Sequence, residues 1–336
     1  MTRPEASLSE ITDLIVVGAG MAGFCCAIEA ARLGVQVLLL EKEQNAGGSS
    51  ALSGGSFAFA GTDEQRAVGV ADSSAAMLRD LREVGDNKND EALLQAFGSA
   101  QLATYRWLQA MGFRFGPPKA AAGQSIPRTH RVPPQEVFVS LNDAARECGR
   151  VVLLRSTGAT RLIRSTDCLN VVGVSAMVDD RSICIGSRCG AVLATGGFMR
   201  SESLLEKFAP GQAKALRMGS AGCTGDGLRM AWQLGAVLRG MGFIKGTFGI
   251  HPSAGPEDHL FLHSVYLGAI AVNQRAQRFV NESLSYKLIG EACLAQPDAI
   301  GFQIPANPSS ILLNLTHTTS LCKVFDSNQG SRVASM

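Results

Sequence analysis

The segment of residues 13–55 constrains the fold of this chain more than any other part. It opens with a short apolar, β-branched run, Asp13–Val17, which predicts a buried strand. An Ala-rich stretch with helical spacing follows over Gly23–Leu33, and a second apolar run, Val35–Leu40, predicts another buried strand. Strand, helix and strand joined by short loops form the first βαβ unit of a doubly wound sheet. The sequence therefore predicts an α/β chain with a Rossmann-like domain.

The turn between the first strand and the helix carries a glycine motif. Gly18, Gly20 and Gly23 give the spacing G-x-G-x-x-G, and Glu41 ends the second strand. In this context the glycines allow a tight turn, approach of a diphosphate and close helix packing, while the acid accepts hydrogen bonds from a ribose. The helix N-terminus favours the negative charge of the phosphates. A dinucleotide site is predicted; the alternative is a Gly-rich turn without a ligand, and Glu41 alone does not separate NAD from FAD.

A second small-residue loop, Gly47–Gly55, can pass close to a flat cofactor. Here the chain resembles the fumarate reductase and succinate dehydrogenase flavoprotein family, FAD-dependent oxidoreductase family 2, which includes the 3-ketosteroid dehydrogenases. The resemblance implies that the loop lies along FAD. Members that attach FAD covalently through this loop use a His, which this loop lacks, so non-covalent FAD is expected. The matching residues are Glu41, Lys42, Gly47, Gly48, Ser49, Ser53, Gly54 and Gly55.

Two later motifs match the same family in order. The resemblance implies that both contact the flavin side of the cofactor. The first motif also fits an ordinary strand exit, and the second fits a plain helix cap. The predicted contacts are Thr195, Gly196 and Gly197 in A-T-G-G, and Thr224, Gly225 and Asp226 in T-G-D-G.

Downstream motifs resemble the substrate-covering cap domain of the family. They are H-P at His251 and Pro252, G-A-x-x-V-N over Gly268–Asn273 and R-F-x-N-E over Arg278–Glu282. The resemblance runs from about residue 12 to about residue 297 and then fades. It implies an FAD-binding domain over 1–234, a partial α+β cap over 235–304 and a divergent tail over 305–336. Because family members continue further, we expect a truncated chain, an altered reading frame or an incomplete gene.

The residue that handles the proton is expected to follow the R-F-x-N-E element. Fumarate reductases of the family have an Arg there, whereas this chain has Tyr286, as the ketosteroid dehydrogenases do. The Glu and Arg of the fumarate reductase proton relay fall on Leu262 and Val265. A phenol titrates near pH 10, so it needs a lowered pKa or a relay to act as a base, and Lys287 is adjacent. Tyr286 could instead pack or cap a helix. His251 is a candidate to bind a substrate carbonyl or carboxylate, or is structural.

Composition bounds the remaining possibilities. The chain has 336 residues, 46% of them hydrophobic and 18% charged, which is typical of a globular protein. A net charge of +2 gives no reason to expect nucleic acid. We expect no membrane-spanning segment and no signal peptide, because the sequence lacks an apolar run of sufficient length and its first residues lack basic and apolar regions. Nine scattered cysteines lack metal spacing, so we expect free thiols, no metal and a cytoplasmic location.

Together these expectations describe an FAD-dependent oxidoreductase acting on CH–CH bonds of a small molecule. The predicted reaction is dehydrogenation beside a carbonyl of a ketosteroid-like substrate, with hydride transfer to flavin N5. One alternative is fumarate-reductase-like reduction of an unsaturated carboxylic acid. The other is an inactive flavin-binding fragment that needs a partner chain. The electron acceptor is left open.

Overall fold

The structure, a computed structural model, describes residues 10–121, 123–244, 246, 248–255, 262 and 264–304, and for residues 266, 267 and 298 it describes the backbone alone. The predicted tail over 305–336 lies outside the described residues. The described chain forms two compact units. The first contains residues 10–204 and 219–239, and the second contains 205–218 and the described part of 240–304. The predicted domain boundary near residue 235 stays a prediction.

Nine helices and twelve strands lie within the described residues. The helices are α1 (Met21–Arg32), α2 (Gly48–Ala51), α3 (Asp63–Ala67), α4 (Ser74–Val84), α5 (Glu91–Ala110), α6 (Pro134–Glu147), α7 (Glu202–Phe208), α8 (Asp226–Gln233) and α9 (Tyr286–Leu294). The strands are β1 (Glu10–Thr12), β2 (Leu14–Val17), β3 (Val37–Leu40), β4 (Ser56–Ala58), β5 (Thr129–Arg131), β6 (Val151–Leu154), β7 (Gly158–Arg164), β8 (Val171–Val178), β9 (Arg181–Ser187), β10 (Ala191–Leu193), β11 (Ile270–Val272) and β12 (Phe302–Ile304).

A parallel sheet with strand order β10-β2-β3-β6 is the centre of the first unit. Alternate side chains of β2 enter two different cores, because successive residues of a strand point to opposite faces. Val16 packs in the same core as Phe24 and Ile28 of α1, together with α6. Ile15 and Val17 pack in a second core on the other face. Apolar residues on both faces explain why the strand is a continuous apolar run.

The face opposite α1 is covered mainly by a second sheet, with strand order β1-β9-β8-β7. Strand β1 pairs with β9 in parallel, and β7, β8 and β9 pair antiparallel. Val174, Ala176 and Ile185 from this sheet fill the second core. The α/β class is confirmed, with β-strands as the main cover on the face where a simple doubly wound domain has helices.

The sequence predicts one helical region over residues 75–113, and the structure divides it into α4 and α5. Gly85 follows α4, and Asp86 and Asn87 then adopt φ values of 50° and 54°. Asp90 caps α5 by accepting a hydrogen bond from the backbone N–H of Leu93. Asn and Asp tolerate this left-handed region better than most residues, so the break has a local cause.

The second unit contains the antiparallel pair β11-β12 and helix α9. Its small core consists of Phe248, Val265, Ala271, Ile289 and Cys293.

Among the described residues, no helix combines the length and the apolar character needed to cross a bilayer.

Candidate functional site

The four parallel strands end level with one another. Leu193 of β10 pairs with Val17 of β2, which pairs with Leu40 of β3, which pairs with Leu154 of β6. The chain runs from β2 to β3 and β6 on one side, and β10 is added later on the other side. The gap between β2 and β10 is therefore the switch point of the sheet, where open α/β sheets bind their ligands.

The glycine motif lies at this switch point and is partly dictated by packing. Gly18 has a φ of 100°, and a Cβ there would lie 2.5 Å from the carbonyl oxygen of Ala194, just after β10. A Cβ at Gly23 would lie 1.8 Å from the carbonyl oxygen of Gly18. Both positions therefore need glycine for the fold itself. The close approach of α1 to the turn after β2 depends on them.

Gly20 is different, because the fold leaves room for a side chain there. A Cβ at Gly20 would lie 3.8 Å from the carbonyl oxygen of Gly47, an ordinary van der Waals distance. Its φ of −78° is open to any residue. As N-cap of α1 it provides no side-chain cap, which leaves backbone N–H groups at the helix start for an anion. A ligand that approaches the backbone would account for glycine at this position.

The Gly47–Gly55 loop crosses in front of this helix start. The N–H of Gly47 donates to the carbonyl oxygen of Ala19 at 2.9 Å, and the loop forms the short helix α2. A cavity of about 330 Å³ opens between the loop, α1 and the start of α6. It is lined by Met21, Ser49, Ser50, Ser53, Gly55, Ser56, Phe57, Pro134 and Val137. The members that sequence analysis did not name come from α1, α6, β4 and the loop itself: Met21, Pro134, Val137, Ser56, Phe57 and Ser50.

Gly55 fixes the far end of this loop. It has a φ of 67°, and a Cβ there would lie 2.0 Å from the carbonyl oxygen of Val132. The N–H of Val132 donates to the carbonyl oxygen of Gly55 at 2.9 Å. Strand β4, which starts at the next residue, pairs antiparallel with β5. The wall of the cavity is thus held by a two-stranded sheet.

Glu41 is buried and already bonded to backbone groups. Its carboxylate accepts hydrogen bonds from the N–H of Ala19 at 2.9 Å and of Glu43 at 3.0 Å. Each carboxylate oxygen has a second lone pair, so these bonds leave acceptor capacity for a hydroxyl group. The structure therefore brings Glu41 to the glycine motif. Its contact with a ribose stays a prediction.

Lys42 brings two of the predicted motifs together. Its Nζ lies 2.6 Å from Oδ2 of Asp226 and 2.6 Å from Oγ1 of Thr224. Gly225 between them has a φ of 80° and is the N-cap of α8. The E-K and T-G-D-G motifs are therefore neighbours in space, although 184 residues separate Lys42 from Asp226.

The A-T-G-G motif adjoins the same helix. Oγ1 of Thr195 lies 2.2 Å from the position that a Cβ of Gly227 would take, so α8 packs against the end of β10. Gly196 has a φ of 71° with open space around its Cβ position. Gly197 is exposed. Thr195 therefore has a packing role, while Gly196 and Gly197 leave the adjoining surface open.

A buried ionic cluster near β5 was missed by sequence analysis. The guanidinium of Arg128, 1% exposed, donates to both carboxylate oxygens of Asp72 and, at 2.6 Å, to Oδ2 of Asp80. Burial alone would raise the pKa of Asp80, but hydrogen bonds from Ser125 and Arg128 outweigh it and hold that pKa below its usual range. Arg128 lies directly before β5, so the cluster anchors the strand that supports the cavity wall.

His130 holds β5 to neighbouring segments of the first unit. It is fully buried in β5, with Nδ1 2.9 Å from the carbonyl oxygen of Gly116 and Nε2 3.2 Å from Oγ1 of Thr62. Arg131, the next residue, is exposed. Alternation along a strand explains the difference between the two neighbours.

In the second unit, the family motifs hold each other. Glu282 accepts hydrogen bonds from Nε and Nη2 of Arg278 at 3.1 and 2.6 Å, and from the N–H of Ala271 in β11 at 2.7 Å. These bonds, chiefly those from Arg278, lower the pKa of Glu282 to about 2. The side chain of Asn273 accepts from the N–H groups of Arg275 and Gln277. The polar residues of these motifs therefore stabilise the fold of the unit.

The two predicted catalytic residues also lie in the second unit. Tyr286 is half-buried and is the first residue of α9. Nζ of Lys287 lies 3.7 Å from Oε1 of Glu291, one turn along the helix, so its charge is directed there. The N–H of Ser253 donates to Nδ1 of His251 at 3.2 Å, and Oγ of Ser253 lies 2.7 Å from the same nitrogen. Roles for Tyr286 and His251 in catalysis stay predictions.

The first unit thus has the donor set of a dinucleotide site. Open backbone N–H groups, a buried carboxylate and glycine positions with room for a ligand meet at the switch point of the sheet. These are the features that recognise a diphosphate joined to a ribose.

Comparisons with known proteins agree with this geometry. The family model described as FAD binding domain matches residues 13–326. A probable fumarate reductase from Shewanella frigidimarina is 30% identical over 302 residues, which cover 87% of this chain and 50% of that protein. The chain spans about half the length of the first curated relatives it matches.

Two solved structures share the fold. The open conformation of a flavocytochrome c3 fumarate reductase matches with a TM-score of 0.77 and 27% identity, over 88% of this chain and 53% of that chain. A 3-ketosteroid-Δ4-(5α)-dehydrogenase from Rhodococcus jostii RHA1 matches with a TM-score of 0.74 and 26% identity, over 90% of this chain and 68% of that chain. The chain therefore belongs to FAD-dependent oxidoreductase family 2, the family of these fumarate reductases and ketosteroid dehydrogenases.

Proposed function

We propose that the first unit binds FAD non-covalently where the glycine motif meets the Gly47–Gly55 loop. The main support is Gly20: the fold leaves room for a side chain there, so close approach of a ligand would explain why the residue is glycine. The start of α1 would bind the diphosphate, and the free lone pairs of Glu41 would accept a ribose hydroxyl. Further contacts would come from Gly18, Gly23, Gly47, Gly48, Ser49, Ser53, Gly54, Gly55, Thr195, Gly196 and Gly197, with Lys42, Thr224, Gly225 and Asp226 in the same site.

We propose that the chain acts as an oxidoreductase on CH–CH bonds. When bound, FAD supplies two-electron transfer to or from a carbon atom. The chain would bind a small-molecule substrate, hold it in one orientation and move a proton. In the ketosteroid-like version, Tyr286 holds the proton removed beside a ketone, and His251 donates a hydrogen bond to the carbonyl oxygen. Similarity to the Rhodococcus ketosteroid dehydrogenase supports this version.

Reduction of an unsaturated carboxylic acid is the second candidate. The 30% identity to a probable fumarate reductase favours it. Tyr286 in place of an Arg favours the ketone. A flavin-binding chain without turnover is the third candidate. The eight cysteines within the described residues are free thiols, which supports the proposal of a cytoplasmic location.

The first experiment tests the cofactor through Gly20→Ala. The chain is purified, incubated with FAD and precipitated with acid, and flavin is measured in the supernatant. We expect the parent chain to release flavin, and the variant to keep its thermal midpoint without ligand but lose about tenfold or more in FAD affinity. Gly211→Ala is the matched control, because Gly211 also has open space and an ordinary φ. Parent-like affinity of Gly20→Ala would contradict the proposal.

The second experiment separates the candidate reactions with the FAD-loaded chain. Steroid ketones are tested with a dye as acceptor, and unsaturated acids are tested as oxidants of the reduced flavin. We expect ketone oxidation, slowed about a hundredfold by Tyr286→Phe. A Tyr286→Phe variant that oxidises the ketone at the parent rate removes the role of Tyr286. Turnover of acids alone supports the second candidate, and no turnover supports the third.

A further inference from the structure

Lys42 forms a closed polar cluster with two residues at the start of α8. Its Nζ lies 2.6 Å from Oδ2 of Asp226 and 2.6 Å from Oγ1 of Thr224. The hydroxyl group of Thr224 donates in turn to Oδ1 of Asp226 at 2.8 Å. Two of the three N–H donors of the ammonium are therefore used inside the protein. A lysine that bound cofactor phosphates would instead direct its donors at the ligand.

The packing around Lys42 fits this interaction. Its side chain is 28% exposed. A Cβ at Gly222 would lie 3.1 Å from Cε of Lys42, and a Cβ at Gly158 would lie 3.3 Å from its Cβ. Two glycines therefore make space for the aliphatic part of the side chain. The direction of the ammonium is set by packing as well as by charge.

The same segment is held at its other end. We call residues 219–225 the re-entry loop, because the chain returns to the first unit at Gly219. The N–H of Ser220 donates to Oγ of Ser49 in the Gly47–Gly55 loop at 3.3 Å. Lys42 and Ser49 therefore join the two ends of the re-entry loop to the segment that contains the first βαβ unit.

We propose that Lys42 is a positioning residue that fastens the re-entry loop and the start of α8 to the cofactor site, and is not itself a ligand of the cofactor. This inference rests on the proposed function for its effect on FAD. Its structural part, the fastening of the loop, is independent of any ligand. Removing either partner of the ion pair should release the same loop, so the effects of the two substitutions should not be additive.

The first test measures the loop without FAD, by alkylation of Cys223. This half-buried thiol lies in the re-entry loop, next to Thr224. Iodoacetamide labelling of Cys223 is followed by peptide mass spectrometry. We expect labelling about fivefold faster than in the parent in Lys42→Met and in Asp226→Ala, and no faster in the double variant than in either single variant. Exposed Cys168 is the internal reference.

Lys88→Met is the matched control for this test, since it removes an exposed ion pair with Asp86 in the same unit. It should leave the labelling of Cys223 unchanged. An unchanged rate at Cys223 in both site variants would overturn the proposal. So would a double variant whose rate is the product of the two single effects.

The second test measures the dissociation constant of FAD in the same variants. We expect Lys42→Met and Asp226→Ala each to weaken FAD binding about fivefold, with the double variant no weaker. Additive losses would mean that Lys42 contacts the ligand directly and would overturn the proposal. If the parent chain binds no FAD, the proposed function fails, and the alkylation rates still decide the role of Lys42.

Discussion

The two units use their motifs in opposite ways. In the first unit, Gly55 lines the cavity, and at Gly20, Gly54 and Gly196 the structure leaves room for a Cβ. In the second unit, Arg278 and Glu282 bond each other and the backbone of β11. The motif glycines of the first unit leave space for a ligand, whereas the polar motif residues of the second unit form hydrogen bonds within the protein.

This difference shows how a motif should be interpreted. A glycine that packing requires, such as Gly23, says little about a ligand, whereas Gly20 needs an explanation outside the fold. A polar motif residue whose bonds are all internal explains the local structure before it explains function. Substitutions that test each kind of residue should therefore separate stability from binding in the first unit, but not in the second.

The largest effect is expected at Arg128, which supports the open side of the first unit. Arg128→Met would leave Asp72 and Asp80 without their buried cation and should destabilise the unit by about 3–5 kcal/mol. Denaturant unfolding followed by the fluorescence of Trp107 and Trp232, both in the first unit, measures it. Arg131→Met, which replaces an exposed arginine three residues further on, at the end of β5, is the control and should lie within about 0.5 kcal/mol of the parent.

If Arg128→Met is as stable as the parent, the buried ionic cluster does not stabilise the first unit. The cluster would then not anchor β5, and the support of the cavity wall would have to come from backbone pairing with β4 and from the contacts of His130.

A smaller effect is expected from a pair of neighbouring glycines. Gly55→Ala forces a side chain onto a φ of 67° and against the carbonyl oxygen of Val132, so it should cost about 2–3 kcal/mol of unfolding free energy. Gly54→Ala meets open space at an ordinary φ and should cost less than about 1 kcal/mol. The same unfolding assay compares them. Equal losses of unfolding free energy in the two variants would mean that the loop adjusts its backbone, and that position 55 tolerates a side chain as well as position 54 does.

Much of the first unit could be predicted from sequence because its signals are local. The apolar runs, the glycine spacing and the end of β6 at Leu154 are all visible along the chain. The contact between Lys42 and Asp226 and the pairing of Arg128 with Asp72 join residues far apart in sequence, so spacing could not indicate them. The burial of His130 follows from the pairing of β5 with β4, which also joins residues far apart in sequence.

The smallest effect is expected at Glu282, and it depends on pH. Its pKa is lowered from 4.5 to about 2, first by hydrogen bonds from Arg278, so the folded unit favours the carboxylate. The resulting stabilisation is present above about pH 4.5 and is lost as the pH falls toward 2. Glu282→Gln removes it, and the backbone N–H of Ala271 should then exchange with solvent about tenfold faster at neutral pH.

This difference in exchange between parent and Glu282→Gln should shrink as the pH is lowered toward 2, after correction for the intrinsic rate at each pH. Glu291→Gln removes the ion-pair partner of Lys287 in the same unit, a carboxylate more exposed than that of Glu282, and should leave the exchange of Ala271 unchanged at every pH. A difference that stays constant from neutral pH to pH 2 would mean that the charge of Glu282 contributes nothing to the unit. The motif residue would then be free for a role outside the fold, as Gly20 is in the first unit.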